Sequence, residues 1–185
     1  MPPNITNLKQ FKIMKKILFT LLFFLSGIVS YAQIYTKVEI LDKFDDVIKT
    51  EQRKTLVTYT DSTIIVEEKG KKPAVYCILN EVATGTLGSK DDIVNLVGNV
   101  YGFQTAWCVV REDMMEKYHE AYRNFYLDGT EDNLKKVQHF WLFATHRTIT
   151  TQYAHSYVGE LFWVTDEKND DKLGKGVNRI VYSKK

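Results

Sequence analysis

Between Gln33 and Glu81 the apolar positions come in short β-branched and aromatic runs broken by charged turns, the pattern of an antiparallel meander. The runs are Ile34 to Leu41, Phe44 to Thr50, Thr55 to Thr60, Thr63 to Glu68 and Ala74 to Asn80. Asp42-Lys43, Asp61-Ser62 and Lys69 to Pro73 supply the turns, the last holding both Gly70 and Pro73 as breakers. Connections this short dictate antiparallel pairing, because a parallel crossover takes about a dozen residues or more. Val82 to Asn99 lose the periodicity and hold three glycines, which reads as a surface loop with one helical turn around Asp91 to Leu96. Val100 to Val110 then form a long aromatic and β-branched strand suited to the middle of a sheet.

At Glu112 the spacing becomes helical. Met114, Tyr118, Ala121, Tyr122 and Phe125 recur every three or four residues and line one face. Asp128-Gly129 stops this helix, since glycine takes the left-handed conformation at low cost, and Thr130 is placed to cap the next. Leu134, Val137, Trp141, Leu142 and Thr145 give the second helix its stripe, so Glu112 to His146 are expected to form a helical hairpin. Two last strands, Val158 to Thr165 and Val177 to Ser183, flank the polar loop Asp166 to Gly176. The chain has no internal repeat and no Pro- or Ser-rich linker. The expected fold class is α+β, one domain with a curved antiparallel sheet or partial barrel of seven or eight strands covered by the helical hairpin. The meander resembles that of lipocalin-like barrels, an analogy of fold that implies no function.

The front of the chain has a different character. Lys9, Lys12, Lys15 and Lys16 precede Ile17 to Val29, a run without charge and rich in Leu, Phe and Ile, the pattern of a secretory signal peptide. As a helix that run spans about 20 Å, short of the roughly 30 Å hydrocarbon core, so no stable membrane anchor is expected after cleavage. Ser30 and Ala32 fit the small-residue positions of a cleavage site, which puts the cut between Ala32 and Gln33. Residues 1–32 are therefore read as the leader and 33–185 as the mature domain, in a periplasmic or extracellular location. Met14-Lys15-Lys16 resembles a usual leader start, which would make residues 1–13 either an upstream extension or the product of a misassigned start codon. The competing reading, a buried helix, suits four lysines on one flank poorly, and no cysteine follows the run to carry a lipid.

Of 185 residues, 44% are hydrophobic and 26% charged, the make-up of a globular domain rather than of a disordered tail. Lys and Arg number 25 against 23 Asp and Glu, and the leader carries four of the lysines, so the mature chain stands at 21 against 23. A balance this even proposes no nucleic-acid partner.

Export changes the reading of Cys77 and Cys108, because an oxidising compartment permits a disulfide. Both sit in strand-like runs. A bridge closing a loop of about thirty residues would stabilise by roughly 3 to 4 kcal/mol; the alternative is two free thiols buried as small hydrophobes. Neither has C-x-x-C spacing or a basic neighbour that would activate it.

The familiar chemistries are missing. Of His119, His139, His146 and His155, the pair at 139 and 146 would share a helix face about 10 Å apart, too far to chelate one ion, and no H-E-x-x-H or Cys-His zinc spacing occurs. No metal and no cofactor is expected. There is no G-x-S-x-G elbow, and His155-Ser156 point to opposite faces if they lie on a strand. Gly85 to Lys90 lacks phosphate-loop spacing, and a calcium-loop alignment begun at Asn169 fails at Leu173 and Ile180.

What remains is an aromatic excess. Alternation puts Tyr101, Phe103 and Trp107 on one strand face, and Phe140 and Trp141 diverge on their helix. With His146 and Arg147 they either form an oversized core or line a pocket between sheet and helices. The candidate ligand-binding set is Tyr101, Phe103, Trp107, Trp141, His146 and Arg147, with no catalytic residue assigned. The expected function is a non-enzymatic exported binding protein for an apolar small molecule or a protein partner. The alternatives are a hydrolase using His146 or His155 with a carboxylate brought in by folding, and an immunity-type inhibitor of an exported toxin. A histidine and carboxylate in hydrogen-bond reach within a pocket would favour the hydrolase, and a deep dry cavity the carrier.

Overall fold

Strand β1 (Tyr31–Leu41) pairs with β2 (Val47–Tyr59) on one side and with the last strand, β8 (Arg179–Ser183), on the other, and this second pairing closes the sheet. The computed structural model describes residues 30–87, 100–151 and 159–184. Between those strands run β3 (Thr63–Glu68), β4 (Ala74–Leu87), β5 (Val100–Arg111), β6 (Leu142–Thr151) and β7 (Gly159–Thr165). They pair in chain order as an eight-stranded, wholly antiparallel barrel. A 3-10 turn (Glu112–Met114) leads from β5 into α1 (Met115–Asp128) and α2 (Glu131–Gln138). The α+β class stands, but the barrel is closed, and the helices are a short appendage at one end, with only Ala121 and Val137 buried among their residues.

Alternation along each strand sends every second side chain inward. Val38, Val57, Ile64, Val66, Val109, Leu142, Ala144, Phe162 and Val164 fill the barrel, together with Tyr35, Tyr59, Tyr76 and Tyr182. Each buried aliphatic side chain contributes about 1.5 to 3 kcal/mol over leaving it in water. A bulge between Tyr35 and Lys37 lets Tyr35 and Val38, three apart, both face in.

Several sequence expectations are corrected. Phe44 to Thr50 and Thr55 to Thr60 belong largely to one strand, β2, which begins only at Val47. Phe44 lies in a turn held by Asp42, whose Oδ1 accepts from the amides of Phe44 (2.8 Å) and Asp46 (3.1 Å). The charged stretch between the two runs stays in the strand because Arg53 pairs with Glu51 and with Glu68, the latter at 2.9 Å. Strand β4 runs on to Leu87, so Val82 to Leu87 are strand where a loop was expected; the rest of that stretch, with the helical turn expected around Asp91, lies outside the described residues.

The largest correction concerns α2. It ends at Gln138, where the amides of Phe140 and Trp141 turn back onto the carbonyls of Val137 and Gln138, and Leu142–Thr151 is strand β6. The stripe Leu134, Val137, Trp141, Leu142, Thr145 satisfied helical spacing, but Thr145, Thr148, Ile149, Thr150 and Thr151 are β-branched and suit a strand. His139 and His146 therefore do not share a helix. The local signals nearby hold. Gly129 ends α1 in the left-handed conformation, and Thr130 caps α2 by accepting from the Asn133 amide at 3.4 Å.

Cys77 and Cys108 are free thiols, not a disulfide. They lie on adjacent strands, but Cys77 stands opposite Val110 and Cys108 opposite Asn80, with a bulge between Ile78 and Asn80, so the two are offset along the ladder.

Candidate functional site

The two ends of the barrel are finished differently. At the end carrying the helices, Arg53, Glu51, Glu68 and Lys71 form an ion network. At the other end a polar cluster is set among aromatic rings, and it is built by strand register. His146 on β6 stands opposite Thr105 on β5 and opposite Phe162 on β7, and it faces inward with Ala144 and Leu142. Glu160, two residues before Phe162, faces the same way and is buried, 4% exposed. Lys184 follows β8 and returns its side chain to Glu160, while its amide donates to the Glu160 carbonyl at 3.2 Å.

Glu160 is the hub. Its Oε1 lies 2.6 Å from His146 Nε2 and accepts from the Tyr31 hydroxyl at 3.1 Å. Its Oε2 is paired with Lys184 Nζ, which also donates to Gln33 Oε1. Burial pushes the Glu160 carboxyl up, but the hydrogen bonds from Lys184 and His146 and the charges of both outweigh it and hold the group below the ordinary carboxylate range. Glu160 is thus an anion at neutral pH, and His146 Nε2 is the donor in their contact.

Rings enclose this hub. The Tyr59 centroid lies 5.2 Å from that of His146, 5.9 Å from Trp107 and 5.7 Å, edge-on, from Phe162. Tyr31 packs 5.8 Å from Tyr59 and 6.1 Å from His146. Below, the Tyr35 and Tyr59 hydroxyls meet at 3.2 Å. Burial first, with the nearby Glu160 charge adding to it, pushes both phenols well above their usual pKa, so they remain neutral donors and acceptors.

Of the residues singled out in the sequence, the structure brings Trp107 and His146 together here. Phe103 lies two alternations from Trp107 along β5 and is half exposed. Tyr101 pairs with Thr150 in the ladder, and its side chain is outside the described set. Arg147 points outward, with Nε and Nη2 donating to Gln104 Oε1 at 2.8 and 2.5 Å and the guanidinium 5.2 Å over Trp163. Trp141 precedes β6 at the opposite end, where its carbonyl accepts from Lys172 at 3.0 Å. Ser89, His155 and Ser156 lie outside the described residues. A groove of about 620 Å³ lies between α1 and α2, lined by Lys117, Ala121, Lys136 and Phe140 among others, and none of the six candidate ligand-binding residues lines it.

Sequence reasoning missed Glu160, Lys184, Tyr59 and Tyr31. The available signal was Glu160 itself, a lone charge sharing a face with Phe162 and Val164 in a strand otherwise apolar on that side. Among the described residues no group of three His, Cys, Asp or Glu side chains converges as a metal site would. No family model matches the chain, and neither the curated proteins nor the solved structures provide a match.

Proposed function

We propose that this chain is an exported, non-enzymatic carrier of a small molecule, held at the barrel end ringed by Tyr59, Trp107 and His146. The observation that carries this reading is the Glu160 hub: a buried carboxylate with His146, Lys184 and Tyr31 on its oxygens, surrounded by aromatic faces. An eight-stranded barrel is either filled by side chains or holds one small ligand, and since apolar side chains and tyrosines, Tyr59 among them, fill this interior, a ligand would be taken at the mouth beside the Glu160 hub. Aromatic walls with a few convergent polar groups suit a ligand that is part apolar and part hydrogen-bonding. The test is native mass spectrometry of the chain expressed from the full reading frame and recovered from the periplasm or medium. A co-purified small molecule that is lost on Trp107→Ala is the expected result. A folded, processed chain that carries nothing and takes up nothing from a periplasmic extract would overturn it and turn attention to a protein partner.

A second reading is favoured by one distance. His146 Nε2 at 2.6 Å from Glu160 is the orienting half of a hydrolytic apparatus, with Nδ1 left to activate water. Turnover of p-nitrophenyl acetate that falls to background in His146→Ala would select this reading over the carrier.

A further inference from the structure

Tyr31 occupies a singular position. It is the first residue of β1, paired with Tyr59, and Ala32 after it pairs with Thr58. The predicted leader cut, between Ala32 and Gln33, therefore falls inside β1, two residues after it begins. The part that would leave is a phenol ring at the barrel mouth, 45% exposed, that packs on one side against Tyr59 and His146 and whose hydroxyl donates to Glu160 at 3.1 Å. The part that would stay keeps the other donors on Glu160, namely His146 and Lys184, and the register of Gln33 to Leu41 with β2.

We propose that Tyr31 is a tethered plug of the carrier site, and that leader cleavage opens a seat for a free phenolic ligand. The inference rests on the carrier reading and adds the ligand class. The step is hydrolysis of the Ala32 to Gln33 amide by a leader peptidase with water, leaving a carboxylate on Ala32 and an amine on Gln33. A phenol entering the vacated seat meets the walls that Tyr31 met, Tyr59 and His146, and donates its hydroxyl to the same Glu160 Oε1. Aliphatic ligands would not use the ring faces, and aromatic hydrocarbons would leave Glu160 without its third donor. Retaining Tyr31 keeps the seat filled at an effective concentration that a dissolved ligand must exceed.

The experiment uses p-cresol, the free equivalent of the tyrosine side chain, with toluene as the ring without the hydroxyl. Affinities are measured by calorimetry on three proteins: the processed chain recovered after export, the Ser30 to Lys185 chain, and the latter with Tyr31→Ala. Intact mass fixes each N-terminus and a cooperative thermal melt confirms each fold. The processed and Tyr31→Ala proteins are expected to bind p-cresol at least tenfold more tightly than the chain that keeps Tyr31, and to prefer it at least tenfold to toluene. Equal affinities in all three, no preference over toluene, an exported chain that still carries Tyr31, or a barrel that fails to melt cooperatively without Tyr31 would each overturn the proposal. If the processed chain carries another small molecule that p-cresol does not displace, the phenol inference falls and the carrier reading stands. If the folded chain binds neither, both fall.

Discussion

His146 Nε2 lies 2.6 Å from Oε1 of Glu160, on a diagonal of the β6–β7 ladder in which Glu160 itself stands opposite Thr148. The contact spends the Nε2 edge of the imidazole on the carboxylate and sets the ring against Tyr31 and Tyr59, the latter packed in turn on Trp107. One charge fixes the geometry of the whole barrel end, so the network stands or falls with Glu160.

Glu160→Gln should destabilise the protein by about 3 kcal/mol at pH 7, because Lys184 and His146 lose the anion they face in a buried setting. The folded-state pKa of Glu160 is depressed, so its contribution is complete above the unfolded value of about 4.3 and is lost as pH falls through the lower folded value. Urea unfolding of both proteins from pH 7 to pH 2 should therefore show a wide gap at neutral pH that narrows below about pH 4.3. A gap independent of pH would mean that the carboxylate is not what matters.

A second buried ion pair ties the long β7–β8 loop to the start of β6. Lys172 Nζ donates to the carbonyls of His139 (2.8 Å) and Trp141 (3.0 Å) and lies 3.1 Å from Oδ1 of Asp166, which is fully buried. Lys172→Met keeps the aliphatic stem but leaves the Asp166 charge without its counterion, at a cost of about 3 to 5 kcal/mol. Chemical denaturation measures this directly. A loss under about 1 kcal/mol, the range of a surface pair, would show the contact to be dispensable.

The parts of this fold that are legible in the sequence are those decided locally. Gly129 and Thr130 end one helix and start the next through their own backbone and side-chain chemistry, and short turns make neighbouring strands antiparallel. Strand β6 was hidden because Leu142 and Thr145 fit a helical stripe as well as a strand, and only its packing between β5 and β7 decides between them. Trp107 and His146 could be picked out by residue type. Glu160 showed only as a lone charge on an apolar strand face and Lys184 not at all, since their meeting depends on β7 and β8 lying side by side, and Tyr31 fell in the segment read as leader. The bulge at Tyr35 and Lys37 likewise decides which side chains of β1 face the cluster, and no spacing rule announces it.

Gly129 has φ 64°, and its amide donates to the Phe125 carbonyl at 2.7 Å. A Cβ built there meets nothing within 4 Å, so the cost of Gly129→Ala is backbone strain alone, about 1 kcal/mol. Because the helices bury only Ala121 and Val137, that cost should be felt by the hairpin and not by the barrel. Hydrogen exchange at the α2 amides is expected to quicken about fivefold while exchange in the barrel strands is unchanged. Asn at this position should recover part of the loss, since it tolerates the left-handed region. A matching acceleration throughout the barrel would show the hairpin to be integral to the fold.

The free thiols give a chemical reading of how tightly the barrel wall is sealed. Cys108 is buried on the side of β5 away from the core, and burial pushes its thiol up to about 11. Cys77 is pushed up too, by burial and then by the charge of Glu112. At pH 8 an ordinary cysteine is about one quarter thiolate, whereas a thiol at about 11 is ionised to roughly one part in a thousand, and the thiolate is the reacting form. Cys108 should therefore react with a disulfide reagent at least about a hundredfold more slowly in the native protein than in urea, and Cys77, half-buried, at an intermediate rate. Two thiols should be counted on unfolding without reductant even after export, since the offset across the β4–β5 ladder keeps the sulfurs from meeting. An exported chain lighter by two hydrogens and unreactive in urea would mean that the wall shifts register to close the bridge.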